Sequence, residues 1–208
     1  MAANPNTPYG LQPVNRLGNA EFRNSVSLYY VPAAKTNAIY VGDPVLKVTA
    51  SADANGVDGC DLAAATGNIT GVVVGFLGVC ASGAAAPAFF GLSATPGPAY
   101  RPASTAQDYY VLVNDDPQTV YAVQSNDSGG APAATKVGQN ANLVVGTGSA
   151  YTGLSGWMLA ANSINTTNTL QVNIVGFLRS ADNVAGQSNA KLLVRLNTST
   201  EVNGATGI

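Results

Sequence analysis

The sequence predicts an all-β fold, a β-sandwich or jelly-roll-like barrel with an extended N-terminal arm. Three observations lead there. Short β-branched and aromatic runs recur along the chain, clusters of Gly, Asn, Asp and Pro separate them, and no segment sustains the 3.6-residue apolar period of an amphipathic helix. Roughly ten short strands divided by turns form the pattern of a sandwich or barrel. At 208 residues, 46% of them apolar, the chain can enclose a sizeable core.

Residues 1–24, "MAANPNTPYGLQPVNRLGNAEFRN", show a period of neither two nor 3.6. Prolines at 5, 8 and 13 rule out a helix through most of the segment and favour extended geometry. It still carries apolar anchors, which a disordered tail seldom holds. We read it as an arm lying along a surface, its own or a partner's, ahead of a single β-rich domain at 25–208. Docked on a neighbouring chain, the arm would contribute Tyr9, Leu11, Val14, Arg16, Leu17, Phe22 and Arg23 as contact residues.

Strands follow in order. "SVSLYYV" (25–31), "AIYV" (38–41) and "PVLKVTA" (44–50) come first, with Gly42-Asp43 as a tight turn between the second and third. "ADANGVDG" (52–59) is a loop, and "NITGVVVGFLGV" (68–79) is the strongest strand signal. Residues 81–106, rich in Ala, Pro, Gly and Ser, form a long loop excursion. "YYVLV" (109–113) and "TVYAVQ" (119–124) are strands, and "APAATKVGQNANL" (131–143) has room for one helical turn. "GWMLA" (156–160), "TLQVNIVGFL" (169–178) and "AKLLVRLN" (190–197) complete the set. "VVGFL" at 73–77 recurs as "IVGFL" at 174–178, which we read as two core strands whose glycines each permit a bulge, rather than as a duplication.

Between two of these strands stand Asp115 and Asp116, adjacent acids in a chain with 11 acidic residues. Asp-Asp-Pro-Gln-Thr fits a β-turn, because aspartate accepts from backbone amides two residues on and Pro117 presets φ. Paired glycosidase carboxylates instead flank a substrate, roughly 5–10 Å apart, and calcium would need more oxygen donors than this stretch supplies. Both acids are expected to be turn formers.

Other chemistry lacks its parts. The sequence contains no histidine, which removes the commonest general base and zinc nitrogen ligand. "GLSGW" (153–157) therefore cannot head a serine–histidine triad, and "GTGSAYTG" (146–153) has no P-loop lysine. The expectation is no enzyme, no cofactor and no metal. Charged residues make up only 10% of the chain, the net charge is −2, and the cations are scattered, so neither nucleic acid nor a membrane is an expected partner. Cys60 and Cys80 are the only cysteines, too far apart in sequence for a CxxC motif, and we expect both to be reduced. "MAANPNTPYG" has neither the basic nor the apolar region of a secretion signal, so a soluble product of a cytoplasm is expected.

Several stretches, taken in order, carry a family likeness. "TPYGLQPVNRLG" (7–18), "NDDPQTVYAVQ" (114–124), "GLSGWML" (153–159), "LQVNIVGFLRSADN" (170–183) and "KLLVRLN" (191–197) resemble landmarks of the cement, or head decoration, proteins of tailed bacteriophages. That resemblance implies a homo-oligomer, a trimer in preference to a dimer, on the outer surface of an icosahedral capsid. Its partners would be the major capsid protein and other copies of itself, and the arm residues named above would be its contacts. Two further classes remain open. One is a phage tail, neck or fibre component. The other is a carbohydrate-binding β-sandwich using Trp157, Tyr29, Tyr30, Tyr109 and Tyr110 as exposed aromatics.

Overall fold

The computed structural model describes residues 4–19, 25–81, 98–103 and 105–200. Strands β1 (Gln12–Arg16), β2 (Ser27–Val31), β3 (Ile39–Tyr40), β4 (Pro44–Val48), β5 (Gly59–Leu62), β6 (Gly71–Ala81) and β7 (Tyr100–Arg101) come first. They are followed by β8 (Gln107–Asn114), β9 (Thr119–Gln124), β10 (Asn140–Ala141), β11 (Leu143–Val144), β12 (Met158–Leu159), β13 (Val172–Phe177) and β14 (Lys191–Leu196). Helix among the described residues is confined to single 3-10 turns, one of them Ala134–Lys136 inside the stretch given room for a helical turn. The fold is all-β, as the alternation of the sequence requires.

β2, β5, β4, β6 and β8 close into a barrel in that order, and β1, β9, β14, β13 and β10 form a five-stranded sheet. Alternation along β6 shows how the two layers meet. Val73 points into the barrel with Tyr29, Val31, Val45, Cys60, Val111 and Val113, whereas its neighbour Val72 joins the other core. There it packs with Ile69, Leu11, Tyr121, Trp157, Ile174 and Leu192. The layers therefore share apolar contacts in the manner of a sandwich.

The second half of the chain retraces the first. Around the barrel, β6 pairs with β8 and β8 with β2; in the sheet, β13 pairs with β14 and β14 with β9, all antiparallel. β4 lies antiparallel to β6 as β10 lies to β13, and β4 pairs with β5 as β11 pairs with β12. A parallel contact joins β2 to β5 at Tyr30 and Gly59, and another joins the end of β9 to β12 at Ser125 and Leu159. Registers agree row by row. Phe76, Val111 and Tyr29 stand side by side in the first half, and Phe177, Leu192 and Val123 in the second.

The recurring pentapeptides are the visible trace of this repeat. Each strand bulges in the same place, between Val73 and Gly75 in β6 and between Ile174 and Gly176 in β13. The bulge reading holds. A repeat of topology accompanies it, which the sequence reading had set aside. The repeat extends to the turn ahead of β4: Gly42 donates its N–H to the Val73 carbonyl, and Val73 donates to Asp43. Gly138 and Ile174 exchange the same two bonds, with Gln139 in place of Asp43. Gly42 and Gly138 both take positive φ, 95° and 89°, a conformation that suits glycine.

Two sequence expectations need correction. The Gly42-Asp43 turn exists, with the Asp43 N–H donating to the Tyr40 carbonyl, but it is not a hairpin. β3 pairs with β7 while β4 pairs with β5 and β6, so the turn passes the chain between sheets. β5 begins at Gly59, inside the segment read as loop, because its pairing with β4 is set by position rather than by β-propensity. Of the excursion at 81–106, residues 82–97 and 104 lie outside the described residues.

Candidate interaction surface

The arm lies on its own chain. β1 pairs antiparallel with β9, Gln12 opposite Ala122 and Arg16 opposite Thr119, with a bulge at Val14. Upstream, Asn4 accepts from the Val184 N–H (2.8 Å) and donates to its carbonyl (3.1 Å), while Gln124 accepts from the Thr7 N–H and donates to Asn6. Leu11 is fully buried in the core of the second half. Expected as a contact to a neighbour, Leu11 is instead enclosed by its own chain: burying a leucine in such a core is worth roughly 1.5–3 kcal/mol, and a partner could gain that only by extracting it.

The remaining predicted contacts divide. Val14 stays exposed on the bulge, and Tyr9 and Leu17 are half-buried. Burial first, and the Asp182 carboxylate second, push the Tyr9 phenol up to about 12. Arg16 pairs with Asp116 at 2.7 Å. Phe22 and Arg23 lie outside the described residues.

That ion pair shows what the adjacent acids do. Asp116 accepts the Gln118 N–H on its side chain and the Thr119 N–H on its carbonyl, closing the turn between β8 and β9. Asp115 accepts the Tyr29 hydroxyl at 3.2 Å. The corner formed by the two acids joins the barrel to the sheet and fastens the arm.

Gly10 sits where the arm crosses between the halves, so close to the Gly42 carbonyl and Ser155 that a Cβ would lie 2.5 Å from each. Beside it, Asp43 is almost entirely buried and accepts the Tyr40 N–H at 2.8 Å. Burial pushes its carboxyl up to about 6, with hydrogen bonds from the Ser155 side chain and the Tyr40 backbone partly offsetting the rise. Asp43, Tyr40 and Trp157 line a cleft of about 370 Å³ between the two halves. The Tyr40 ring stacks on Tyr100 at 5.0 Å, and Gly148 passes so close to it that a Cβ there would clash with the ring.

A buried cation was not foreseen. Arg101 is fully buried, and its guanidinium donates to the carbonyls of Asn37, Lys35, Pro32 and Pro102 while lying 5.7 Å from the Tyr109 ring centre. It organises residues 32–37, a task shared by Asp108, which accepts the Ala33 N–H at 2.7 Å. Within the Ala- and Pro-rich excursion nothing distinguished this arginine from a surface one.

The aromatic residues nominated for sugar binding are mostly enclosed. Trp157, Tyr29, Tyr109 and Tyr110 are each at most 6% exposed, so they offer no stacking platform to solvent. Tyr151, not nominated, is 97% exposed, and Val14, Val137, Val145 and Val175 also stand out from the surface. Lys35, Lys47 and Lys191 are held by Asp61, Asp58 and Asp182, as Arg16 is by Asp116. Cys60 is a free thiol inside the barrel, raised well above its ordinary pKa by burial. Among the described residues no three His, Cys, Asp or Glu side chains gather as a metal site, and no helix is long and apolar enough to cross a membrane. Comparison with known protein families, curated proteins and solved structures found no match.

Proposed function

We propose that the protein is a structural component of a tailed-bacteriophage head, binding the outside of the icosahedral capsid and stabilising contacts between major capsid protein subunits. One observation carries the reading beyond the sequence likeness. The surface combines exposed Val14, Val137, Val145, Val175 and Tyr151 with few charges, and Arg16, Lys35, Lys47 and Lys191 are held in ion pairs within the chain. Such a surface can be buried against a partner with little ionic desolvation to oppose it. The proposal includes a homo-oligomer, because several weak capsid contacts made together raise avidity by roughly 10²–10⁴; the preference for a trimer over a dimer rests on the family likeness alone.

Mass spectrometry of separated heads and tails should find the protein in heads, at the outer surface when intact particles are probed with protease. Its presence in tails alone would favour the tail, neck or fibre reading. Multi-angle light scattering should return a mass above 21.0 kDa at micromolar concentration; a monomer would count against the oligomer.

A further inference from the structure

The repeat exposes a difference between its halves. Row by row, Gly75, Leu112 and Leu28 of the first half correspond to Gly176, Leu193 and Ala122 of the second. On the side of β9 away from β14, Ala122 and Val120 pair with Gln12 and Asn15 of β1 and are 3% exposed. The corresponding side of β2 has no such strand among the described residues, and Val26 and Leu28 are half-exposed. Its only described strand neighbour there is β5, reached at Tyr30, whose N–H donates to the Asp58 carbonyl.

Strand parity then fixes what the edge offers. Backbone groups alternate sides along a strand, so the N–H and C=O of Leu28 and Val26 point the same way as those of Tyr30, away from β8. Among the described residues nothing bonds them. An edge of this kind is a template for strand addition.

We infer that the edge of β2 at Val26–Leu28 receives an extended strand from a different protein, not from a second copy, laid antiparallel as β1 is on β9. The chemistry of the occupant is set by the strand that fills the equivalent place. It is a short extended segment with uncharged residues at its centre and tolerance of proline, like Gln12–Asn15, since Ser25–Val31 carries no charge to pair with one. A swapped arm from another copy is disfavoured, because it would have to withdraw Leu11 and Asn4 from their own sites. The inference does not depend on the capsid reading.

The test uses the full chain and a synthetic peptide of residues 9–18. In the free protein the Leu28 amide should exchange with deuterium at least tenfold faster than the Ala122 amide. Added peptide should bind one to one and slow Leu28 exchange at least tenfold. Leu28→Pro removes an N–H that β8 does not use, so it should abolish peptide binding while leaving the β2–β8 ladder in place. A Leu28 amide already slow in the dilute monomer would mean the chain covers its own edge. Slowing that appears only on concentrating the protein would make the occupant a second copy's edge. Peptide that binds without protecting Leu28 would have exchanged with the arm. Each of these three results, or no binding by the unaltered chain, overturns the inference.

Discussion

Asp43 shows how one residue sets a pH response. Its carboxyl is held up to about 6, against an ordinary 3.8, mainly by burial. The folded chain therefore binds this proton more tightly than the unfolded chain does. The resulting stability is fully present below 3.8 and is lost as pH rises through about 6, a change of about 3 kcal/mol. Asp61 works in the opposite direction: burial pushes it up, but hydrogen bonds from Lys35 and Asn37 outweigh that and lower its pKa, so its contribution is lost in stronger acid. Between these two groups, stability should be greater near pH 4 than at neutrality. Asp43→Asn keeps an acceptor for the Tyr40 N–H and carries no charge, so its melting point at pH 7.5 should exceed that of the parent and change little down to pH 5. Equal pH slopes for the two proteins would refute this account. Arg101 makes the complementary case. Arg101→Leu leaves four carbonyls of residues 32–37 and 102 without their donor, at about 1–3 kcal/mol for a buried unsatisfied group, and should lower the urea midpoint markedly.

At the scale of elements, the arm is where the sequence reading and the structure diverge most usefully. Three prolines correctly pointed to extended backbone, but composition could not say which sheet the segment would join. Pairing partners are more than a hundred residues away, Gln12 with Ala122, and no local pattern encodes such a distance. The strong strands were legible because their alternation reflects burial: "TVYAVQ" is β9 and "YYVLV" lies within β8. β10 and β11 were not, being two residues each and split by Asn142. The repeat escaped notice because equivalent interior positions share burial, not identity: Tyr29 matches Val123, and Val45 matches Ala141. For the arm the consequence is direct. Deleting residues 1–16 removes Leu11 from the core and uncovers the β9 edge, so the isolated protein should lose stability. Leu11→Ala alone should cost about 2–5 kcal/mol in denaturant unfolding. A truncated chain that melts with the full-length protein would restore the arm to a role on a neighbour.

For the whole molecule, the question is whether a barrel and a sheet of matching strand order behave as two domains. Their cores argue that they do not. The second core is completed by Ala63, Ile69 and Val72 from the first half and by Leu11 from the arm. Ile69 also exchanges backbone bonds with Thr198 and Thr200, so the end of the second half is stitched to the first. Separating the halves would expose Ile69, Val72 and Leu11 together, each worth roughly 1.5–3 kcal/mol, against a total stability that for most domains is about 5–15 kcal/mol. That loss, about 4.5–9 kcal/mol together, is of the order of the total stability, so a state with one intact half should be scarcely populated at equilibrium. Urea unfolding should therefore be a single transition. Trp157, the sole tryptophan, is buried in the second core, so its fluorescence reports that half, while far-ultraviolet circular dichroism reports both. The two curves should coincide, and a fragment of residues 117–200 should not fold alone, since it lacks β1 and all four supporting side chains. Separate midpoints for fluorescence and dichroism, or a folded fragment, would show that each half stands by itself and that the shared contacts are incidental to stability.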